Sequence, residues 1–451
     1  MVKKTILLSV VVLLVARLAP AQERRVSIEQ IAEAIEDHIA RQSMANGGYF
    51  LVDHEGKTLR LQLVRVHMEY LADLGGGVQF ACVDLVGTDG PVYDVDFFLS
   101  GDAGNMTVTE TTVHKVNGQP LYAWEQSEDG TWVRVPVTDA SPRLLGVIQG
   151  EDTFEFIYRV RLPDISGPAE LWLPLAQSNA DQQVEILDIS APSSWRVLTE
   201  KTNGNTVLYL TVGPEDSGET VEIQYRVRRE EVSPYPVGDS QPERHLAPER
   251  LVPNDPIFRA IAEEAVKGKT TDLMRARALY DHVIDQIRYA RYGSGWGRGD
   301  AVYACDAKSG NCTDFHSYFI ALARAIDIPA RFAIGAAIPS ERDDGGIDGY
   351  HCWAEFYADD RWWPVDISEA DKNSSLASYY FGHQPANRLE LSRGRDLIVE
   401  PGPSSGPINF LAYAVLEVDG QPVPARTEFS FRRLIEHDAS HDAGTRDQEG
   451  E

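Results

Sequence analysis

The chain has 451 residues, of which 43% are hydrophobic and 25% charged, which is typical of an ordinary globular protein. Its formal net charge of −27 at pH 7 argues against binding to nucleic acid or to anionic lipid surfaces, and is typical of a highly soluble protein. A chain of this length predicts roughly three domains.

The first 21 residues have the pattern of a secretory signal. Two lysines precede an apolar run at 6–16, and Ala-Pro-Ala at 19–21 is a small-residue cleavage site. The alternative is an uncleaved membrane anchor, but the run is short for a span, and Arg17 and Pro20 interrupt its end. The sequence therefore predicts cleaved export to a periplasmic or extracellular location, without stable membrane insertion afterwards.

Residues 22–135 predict a small N-terminal domain of one helix and an antiparallel sheet. Apolar residues line one face of a helix at 26–44, and Ser27 with Gln30 forms a capping box at its start. Alternating segments separated by Gly and Asp turns then predict strands. These strands are predicted at 49–52, 58–70, 78–86, 92–99, 106–116 and 122–132. A cystatin-like domain is one candidate for this arrangement.

Residues 143–232 predict a β-sandwich of about seven strands, because short strands are separated by Gly, Pro, Asn and Asp without a helical period. Five prolines then mark 233–253 as a linker. We expect both segments to serve spacing, substrate presentation or partner binding, since neither has a catalytic pattern. The predicted strands are 153–162, 169–174, 183–189, 195–200, 206–212 and 220–228.

Residues 254–400 predict a core of helices and strands. Two helices are predicted at 254–267 and 271–289, and 290–308 is predicted as an irregular loop. A third helix starts at Cys312 behind the N-cap Asn311. The remaining predictions are a polar loop at 367–373, C-terminal strands within 401–435 and an acidic, disordered tail at 436–451.

A Cys, a His and an Asp follow one another on three different predicted elements. Cys312 lies in the first turn of its helix, where unpaired N–H groups and the positive dipole end favour a thiolate. His351 and Asp366 lie on two arms of a hairpin turning at 358–360, and counting back sets Asp366 opposite His351 or Cys352. A carboxylate there can hold one imidazole nitrogen and leave the other facing the thiol, as in an activated nucleophile.

The surrounding segments occur in a recognisable order. They are Gly-Asn-Cys-Thr-Asp-Phe-His-Ser from 310, Leu-Ala-Arg-Ala-Ile-Asp-Ile-Pro-Ala-Arg-Phe from 322, Gly-Tyr-His-Cys-Trp-Ala-Glu-Phe from 349, Trp-Pro-Val-Asp from 363, Tyr-Phe-Gly at 380–382 and Asn-Arg at 387–388. Over roughly residues 245–400 the chain resembles the transglutaminase-like superfamily, the papain-fold relatives with a Cys-His-Asp triad. The resemblance implies an α+β fold with a papain/transglutaminase-like core behind the two N-terminal domains.

The resemblance implies Cys312 as nucleophile, His351 as general base and Asp366 as the carboxylate that orients the imidazole. His316 also matches, but its position one turn after Cys312 would aim it along the helix, so His351 is preferred. Asp314 and Glu355 match as well and are interpreted as structural hydrogen-bonding groups. Family members use an aromatic or amide side chain at the oxyanion site. The candidates here are Trp296 and Tyr303, with plain packing as the alternative.

The leading hypothesis is an exported cysteine peptidase, amidase or acyltransferase that acts on amide or peptide bonds through a thioester acyl-enzyme. Hydrolysis of a protein or peptide substrate is favoured over cross-linking. The chemistry requires no cofactor, and no EF-hand loop for calcium is present. The alternative is a non-catalytic exported scaffold or binding protein. A third hypothesis has the N-terminal domains bind a partner or the core as an inhibitor would. The oligomeric state stays open.

Four cysteines, Cys82, Cys305, Cys312 and Cys352, allow two disulfides in an exported protein. A working thiolate at Cys312 must stay free. Cys305 and Cys352 both flank the proposed site and could bridge, in which case Cys82 remains a buried single thiol. A zinc site near Cys312 would lack the paired Cys spacing of structural zinc, so no residue is assigned as a metal ligand. The three histidines of the N-terminal domain are interpreted as structural or incidental. These are His54, His67 and His114.

Overall fold

The computed structural model describes residues 26–434 except 69–70, 76, 89, 103, 127–131, 138–145, 237–240 and 292–293. The predicted signal at 1–21 and the predicted tail at 436–451 lie outside the described residues. Among the residues described, no helix is both long and apolar enough to cross a membrane. The fold class predicted from the sequence, α+β, is confirmed.

The described residues form six α-helices and 26 strands. The helices are α1 (Ile28–Ala45), α2 (Pro256–Ala265), α3 (Asp272–Gln286), α4 (Ala301–Ala307), α5 (Cys312–Ala325) and α6 (Ile367–Lys372). The strands before the core are β1 (Phe50–His54), β2 (Lys57–Val66), β3 (Ala72–Gly75), β4 (Val78–Gly87), β5 (Val92–Ser100), β6 (Thr107–Val116), β7 (Gln119–Pro120), β8 (Tyr122–Gln126), β9 (Trp132–Pro136), β10 (Glu151–Arg161), β11 (Ala169–Leu175), β12 (Gln182–Ser190), β13 (Trp195–Thr199), β14 (Thr206–Val212) and β15 (Thr220–Glu230). The remaining strands are β16 (Tyr235–Pro236), β17 (Arg288–Tyr289), β18 (Ser309–Gly310), β19 (Ala330–Ala337), β20 (Asp344–Ile347), β21 (His351–Ala358), β22 (Arg361–Val365), β23 (Arg388–Arg393), β24 (Val415–Val418), β25 (Gln421–Val423) and β26 (Arg426–Arg433).

The N-terminal region packs α1 on an antiparallel sheet of order β1-β2-β4-β5-β6-β7, with β3 paired to β4 and a separate β8-β9 hairpin. Ser27 and Gln30 form the capping box that the sequence predicts. Ile31, Ile35 and Ile39 are buried against the sheet, whereas Ile28 at the helix start is exposed. The opposite face of the sheet meets the core and carries buried acids such as Asp84 beside apolar residues such as Val86.

Two five-stranded sheets form the β-sandwich, with orders β12-β15-β10-β26-β20 and β13-β14-β11-β24-β25. Along β10, alternate residues are buried from Phe154 to Val160, as a strand with one face on a core requires. Strands from far along the chain complete both sheets. β20, which lies just before His351, and β26 belong to the first sheet, and β24 and β25 belong to the second. β24–β26 come from the C-terminal segment predicted at 401–435. The predicted domain boundaries stay a prediction, but these late strands lie inside the sandwich.

The core consists of the sheet β16-β22-β21-β19-β23 with α5 packed against it. Every residue of α5 except Arg324 is buried, and α2, α3 and α4 surround it. A helix that is buried on all sides holds its ends in fixed positions, since each side chain is confined by neighbours. The first residue of this helix is Cys312.

Two helices lie where the sequence analysis predicts loops. The predicted irregular loop at 290–308 contains α4, for which Asp300 is the N-cap. The predicted polar loop at 367–373 contains α6, which Asp366 caps through Glu369 N–H. Both predictions are wrong because helices of seven and six residues are too short to give a helical period. The predicted linker at 233–253 contributes β16 and a 3-10 helix at Pro242–Leu246.

A buried ion pair joins the face of the N-terminal sheet opposite α1 to the core. Arg277 of α3 donates to Asp84 of β4 at 2.8 Å and to Asp281 at 3.0 Å, and Ser378 also donates to Asp84. Burial raises the pKa of Asp84, but the neighbouring cations of His67 and Arg277 outweigh it and lower the pKa below its usual range. Asp84 is therefore charged, and the stability of this buried charge depends on its partners.

We expect Arg277→Met to lower the free energy of unfolding by about 3–5 kcal/mol, because it leaves the Asp84 carboxylate buried without one of the two cations that compensate it. Urea denaturation measures the change. The exposed pair Arg41–Asp37 supplies the control, since Arg41→Met should change the same quantity by less than about 1 kcal/mol. Equal effects of both substitutions would contradict the role given to the buried pair.

Candidate active site

Cys312 is held at the start of α5 by a closed set of hydrogen bonds. The Asn311 side chain accepts from Thr313 N–H at 3.0 Å, and the Asp314 side chain accepts from Asn311 N–H at 2.9 Å. This reciprocal capping fixes the first turn of the helix. Cys312 is only 2% exposed, and its position at the helix N-terminus favours the thiolate.

Asp314 also fixes the loop that precedes the helix. It accepts from Gly297 N–H at 2.7 Å and from Gly299 N–H at 3.0 Å, in addition to Asn311 N–H. A side chain at position 310 would come within 2.4 Å of Asp314, so glycine is required there. Asp314 is thus a structural acceptor of three backbone donors.

His351 and Asp366 meet, although not in the predicted register. The pairing Ala354↔Val365 sets Asp366 level with Trp353, one step beyond the last pair and not opposite His351 or Cys352. The reason is a turn of only two residues, Asp359 and Asp360, both with positive φ. Residues two apart on a strand share a face, so Asp366 and His351 are diagonal neighbours. His351 Nε2 lies 2.5 Å from Asp366 Oδ2.

Further donors hold the fully buried Asp366 carboxylate. Ser368 Oγ and Glu369 N–H each donate to Oδ1 at 3.2 Å, and Arg388 lies 3.5 Å from Oδ2. Burial raises the pKa of Asp366, but His351 and Arg388 outweigh it and hold the pKa well below its usual range. The carboxylate therefore stays charged.

The charge on Asp366 controls the imidazole. Burial would lower the pKa of His351, but the charge and hydrogen bond of Asp366, with the hydrogen bond to Cys312, raise it to about 9. Because Nε2 is bound to Asp366, the nitrogen left for Cys312 is Nδ1. Glu369 lies 4.0 Å from Nδ1 and adds a second nearby carboxylate.

The pKa of Cys312 is shifted in the opposite direction. The hydrogen bond from Cys352 lowers its pKa, burial opposes this, and the hydrogen bond and charge of His351 lower it further, to well below the usual value. Burial and the neighbouring Cys312 raise the pKa of Cys352, which keeps that residue a neutral donor. The resulting state is a thiolate at Cys312 paired with an imidazolium at His351.

His316 is bound to the backbone through both ring nitrogens. Its Nε2 accepts from Ile367 N–H at 3.0 Å, so Nδ1 carries the proton and donates to the Cys312 carbonyl at 2.8 Å. Burial lowers the pKa of His316, which favours this neutral tautomer. His316 therefore ties α5 to α6 and has no nitrogen left for proton transfer from the thiol.

Glu355 is likewise engaged in structure. It accepts from Arg331 at 2.6 Å and from Tyr235 at 2.8 Å, with Arg393 at 3.4 Å. Burial raises its pKa, but the two arginines outweigh this and lower the pKa to about 2. This carboxylate therefore links β16, β19, β21 and β23 and is not a proton donor.

A cleft between the core and the sandwich reaches Cys312. Its volume is about 920 Å³, and its lining includes Trp296, Tyr350, Phe410, Tyr413 and Phe429. Of the two aromatic candidates for the oxyanion site, Trp296 lines this cleft. Tyr303 is packed against Gly295, where an added side chain would come within 2.9 Å of the ring.

All four cysteines are free and buried. Cys305 hydrogen-bonds to Tyr318, and Cys352 lies beside Cys312 and 3.5 Å from His316 Nδ1. The Cys305–Cys352 bridge that the sequence leaves open is absent from this structure. The sequence analysis missed the contribution of Cys352 to the nucleophile, although its position next to His351 was a signal.

Part of the core matches a known protein family. Residues 259–367, which include Cys312, His351 and Asp366, match the family described as the transglutaminase-like superfamily. The chain therefore carries a transglutaminase-like domain. An uncharacterized protein of Haemophilus influenzae is 26% identical over 304 residues, which cover 57% of this chain and 82% of that protein.

Solved structures that are similar to this chain have low sequence identity to it. A provisionally assigned cysteine protease from Cytophaga hutchinsonii is 16% identical, with a TM-score of 0.45, over 63% of this chain and 99% of that one. The periplasmic domain of TgpA from Pseudomonas aeruginosa is 15% identical, with a TM-score of 0.29, over 54% of this chain and 99% of that one.

We expect Cys352→Ala to raise the apparent pKa of Cys312 by about one unit, because one hydrogen bond to the thiolate is lost. The pH dependence of Cys312 alkylation by iodoacetamide, followed by peptide mass spectrometry, measures the shift. Cys305→Ala is the matched control, since Cys305 contacts Tyr318 and should leave the profile unchanged. An unchanged profile in Cys352→Ala would show that Cys352 does not stabilise the thiolate.

Proposed function

We propose that the protein is an exported cysteine hydrolase that cleaves amide or peptide bonds through a thioester acyl-enzyme. The observation that supports this most is a buried pair of groups with opposite pKa shifts. The pKa of Cys312 is well below its usual value, and the pKa of His351 is raised to about 9. Shifts of this kind, caused by specific partners and located in a cleft, are characteristic of functional sites. A structural cysteine would need neither partner.

The proposed reaction uses groups already in contact. The Cys312 thiolate attacks the substrate carbonyl, and the proton on His351 Nδ1 passes to the departing amine as the C–N bond breaks. His351, now neutral, takes a proton from water, whose oxygen attacks the thioester. The acid product then leaves and the Cys312 sulfur is released. Asp366 keeps the Nε2 proton in place throughout, which fixes the tautomer that this sequence requires.

Stabilisation of the oxyanion falls to the start of α5. The backbone N–H of Cys312 belongs to the first turn of the helix, whose N–H groups have no partner within the helix. Such donors are fixed before the reaction and stabilise charge as it develops. Trp296 lines the same cleft and is the proposed side chain beside this site.

We propose hydrolysis in preference to cross-linking because of what each reaction needs. The cleft of about 920 Å³ at Cys312 gives the acyl donor a binding site, and water requires no further one. Transfer to an amine would need a second site that excludes water.

Three arginines line the cleft, and each pairs with a carboxylate: Arg159 with Glu222, Arg291 with Asp348 and Arg426 with Glu428. Their charges are therefore compensated, and the shape and aromatic lining of the cleft are left to select the peptide.

The pH dependence of alkylation tests the ion pair. The lowered pKa of Cys312 means that the thiolate is lost only as the pH falls through that value, and the raised pKa of His351 means that the imidazolium is lost as the pH rises through about 9. We expect rapid labelling of Cys312 at pH 6. In His351→Ala the thiol should return towards an ordinary pKa of about 8.5, with labelling at pH 6 at least roughly tenfold slower.

His316→Ala and Cys312→Ala are the controls for this measurement. Cys312→Ala should abolish labelling of the peptide. His316→Ala should retain most of the acid-pH reactivity, because both ring nitrogens of His316 are bound to backbone groups and His351 contributes more to the lowered pKa of Cys312. Slow labelling that the His351 substitution leaves unchanged would favour the scaffold hypothesis over the hydrolase.

Export is tested separately. We expect the full-length chain, produced in a Gram-negative host, to be recovered outside the cytoplasm with Gln22 as its first residue. Cell fractionation with N-terminal peptide mass spectrometry measures both properties. The control is the same chain without residues 1–21, which should stay in the cytoplasm. Recovery of the intact N-terminus in the membrane fraction would instead support an uncleaved anchor.

A further inference from the structure

Four side chains of metal-ligating type meet on the face of the N-terminal sheet opposite α1. Cys82, Asp94, Asp96 and His114 each supply one ligand atom, and these four atoms lie within 4.8 Å of one another. The three residues on β4 and β5 are buried, and His114 is mostly covered. The cluster is separate from the catalytic site and plays no part in the proposed reaction.

A bulge in β6 places the histidine. Asp94 pairs with Lys115 and Val95 with Val113, so His114 is the additional residue in its strand. Bulges re-aim a side chain relative to the regular alternation of a strand. Cys82 lies directly opposite Asp96 in the register. Three adjacent strands therefore direct four polar side chains to one point.

Three of these side chains have a second polar atom that points away from the centre of the cluster, and other groups contact this outer atom. Lys115 Nζ lies 2.8 Å from Asp94 Oδ2, and Tyr122 OH donates to Asp96 Oδ2 at 2.7 Å. His114 Nε2 lies 3.1 Å from the Tyr122 carbonyl oxygen. The inner atoms then face one another: Asp94 Oδ1 is 2.5 Å from Cys82 Sγ, and Asp96 Oδ1 is 3.5 Å from His114 Nδ1. This is the outer shell of hydrogen bonds that typically orients metal ligands.

The tautomer of His114 leaves its Nδ1 atom able to bind a metal ion. A carbonyl oxygen only accepts, so His114 Nε2 carries the proton in its contact with Tyr122. In the neutral ring, Nδ1 then presents a lone pair to the Asp96 carboxylate. A neutral imidazole that presents a lone pair in this way is the form of histidine that binds a metal ion.

We propose that Cys82, Asp94, Asp96 and His114 bind one Zn²⁺ ion that fastens β4, β5 and β6 together. Zinc takes four ligands from thiolate, imidazole and carboxylate groups, and ligands at about 2.0–2.3 Å from it lie roughly 3.5 Å apart in a tetrahedron. Cysteine thiolate and two carboxylates contribute three negative charges, which Zn²⁺ and the ammonium of Lys115 balance. The hard cations Mg²⁺ and Ca²⁺ prefer all-oxygen sites and fit this donor set poorly.

A neighbouring cluster of His67, Asp84 and Asp94 has a different character. Arg277 already lies 2.8 Å from Asp84, and His67 Nε2 lies 3.1 Å from the same carboxylate. Those cations compensate Asp84 and would repel a metal ion. In the donor set around Cys82, Lys115 contacts the outer oxygen of Asp94 and leaves the inner oxygen facing Cys82.

The test uses the mature chain carrying Cys312→Ser, so that the catalytic thiol cannot bind metal. We expect protein purified without chelator to contain one zinc per chain by plasma mass spectrometry, and chelator to lower its Tm. Co²⁺ substitution should produce a thiolate-to-cobalt charge-transfer band. This band should vanish in Cys82→Ser and persist in Cys305→Ser, the matched change of a buried thiol outside the cluster.

Tyr122→Phe keeps all four ligands and serves if Cys82→Ser fails to fold. It removes the donor to Asp96 Oδ2 and should weaken zinc binding about 10–100-fold. The proposal is overturned if folded, metal-free protein has a Tm that neither Zn²⁺ nor chelator changes, since the cluster would then bind no zinc ion. It is equally overturned if the cobalt band depends on Cys305 and not on Cys82.

Discussion

A fully buried carboxylate is stable only if other groups replace the water that it loses, and Asp366 is placed under this constraint by the end of β22. His351, Arg388, Ser368 and a backbone N–H satisfy it. The same residue caps α6, so one side chain ends a strand, begins a helix and holds the imidazole. The charge that burial makes costly is therefore the charge that raises the pKa of His351.

The partners of Asp366 come from parts of the molecule that must all be in place together. Arg388 begins β23, which lies at the edge of the core sheet, and α6 is tied to α5 through His316. Because the site depends on these packed elements, its pKa shifts are properties of the folded core. A short peptide containing Gly-Asn-Cys would have an ordinary thiol.

The sandwich and the N-terminal sheet support this core in different ways. β20 and β26 of the sandwich form a wall of the cleft, since Gly346 and Phe429 line it beside Cys312. The N-terminal sheet instead meets α3 through the Asp84–Arg277 pair. A zinc ion on the same face would stiffen that sheet next to its contact with the core. The sandwich therefore shapes the cleft, and the N-terminal sheet contributes to stability.

The sequence by itself determined the local elements and the order of the reactive residues. Apolar spacing predicted α1, α3 and α5, and short segments separated by turn residues predicted β10–β15. The Gly-Asn-Cys start fixed the position of Cys312. These predictions succeeded because each signal lies within a few residues of the chain. Only the tertiary structure decided which distant residues meet. The completion of the sandwich by β24–β26, the register of Asp366, the hydrogen bond from Cys352 and the cluster around His114 all depend on packing between separated segments. A local pattern records that a residue is buried or polar, but it does not specify the neighbour that satisfies it.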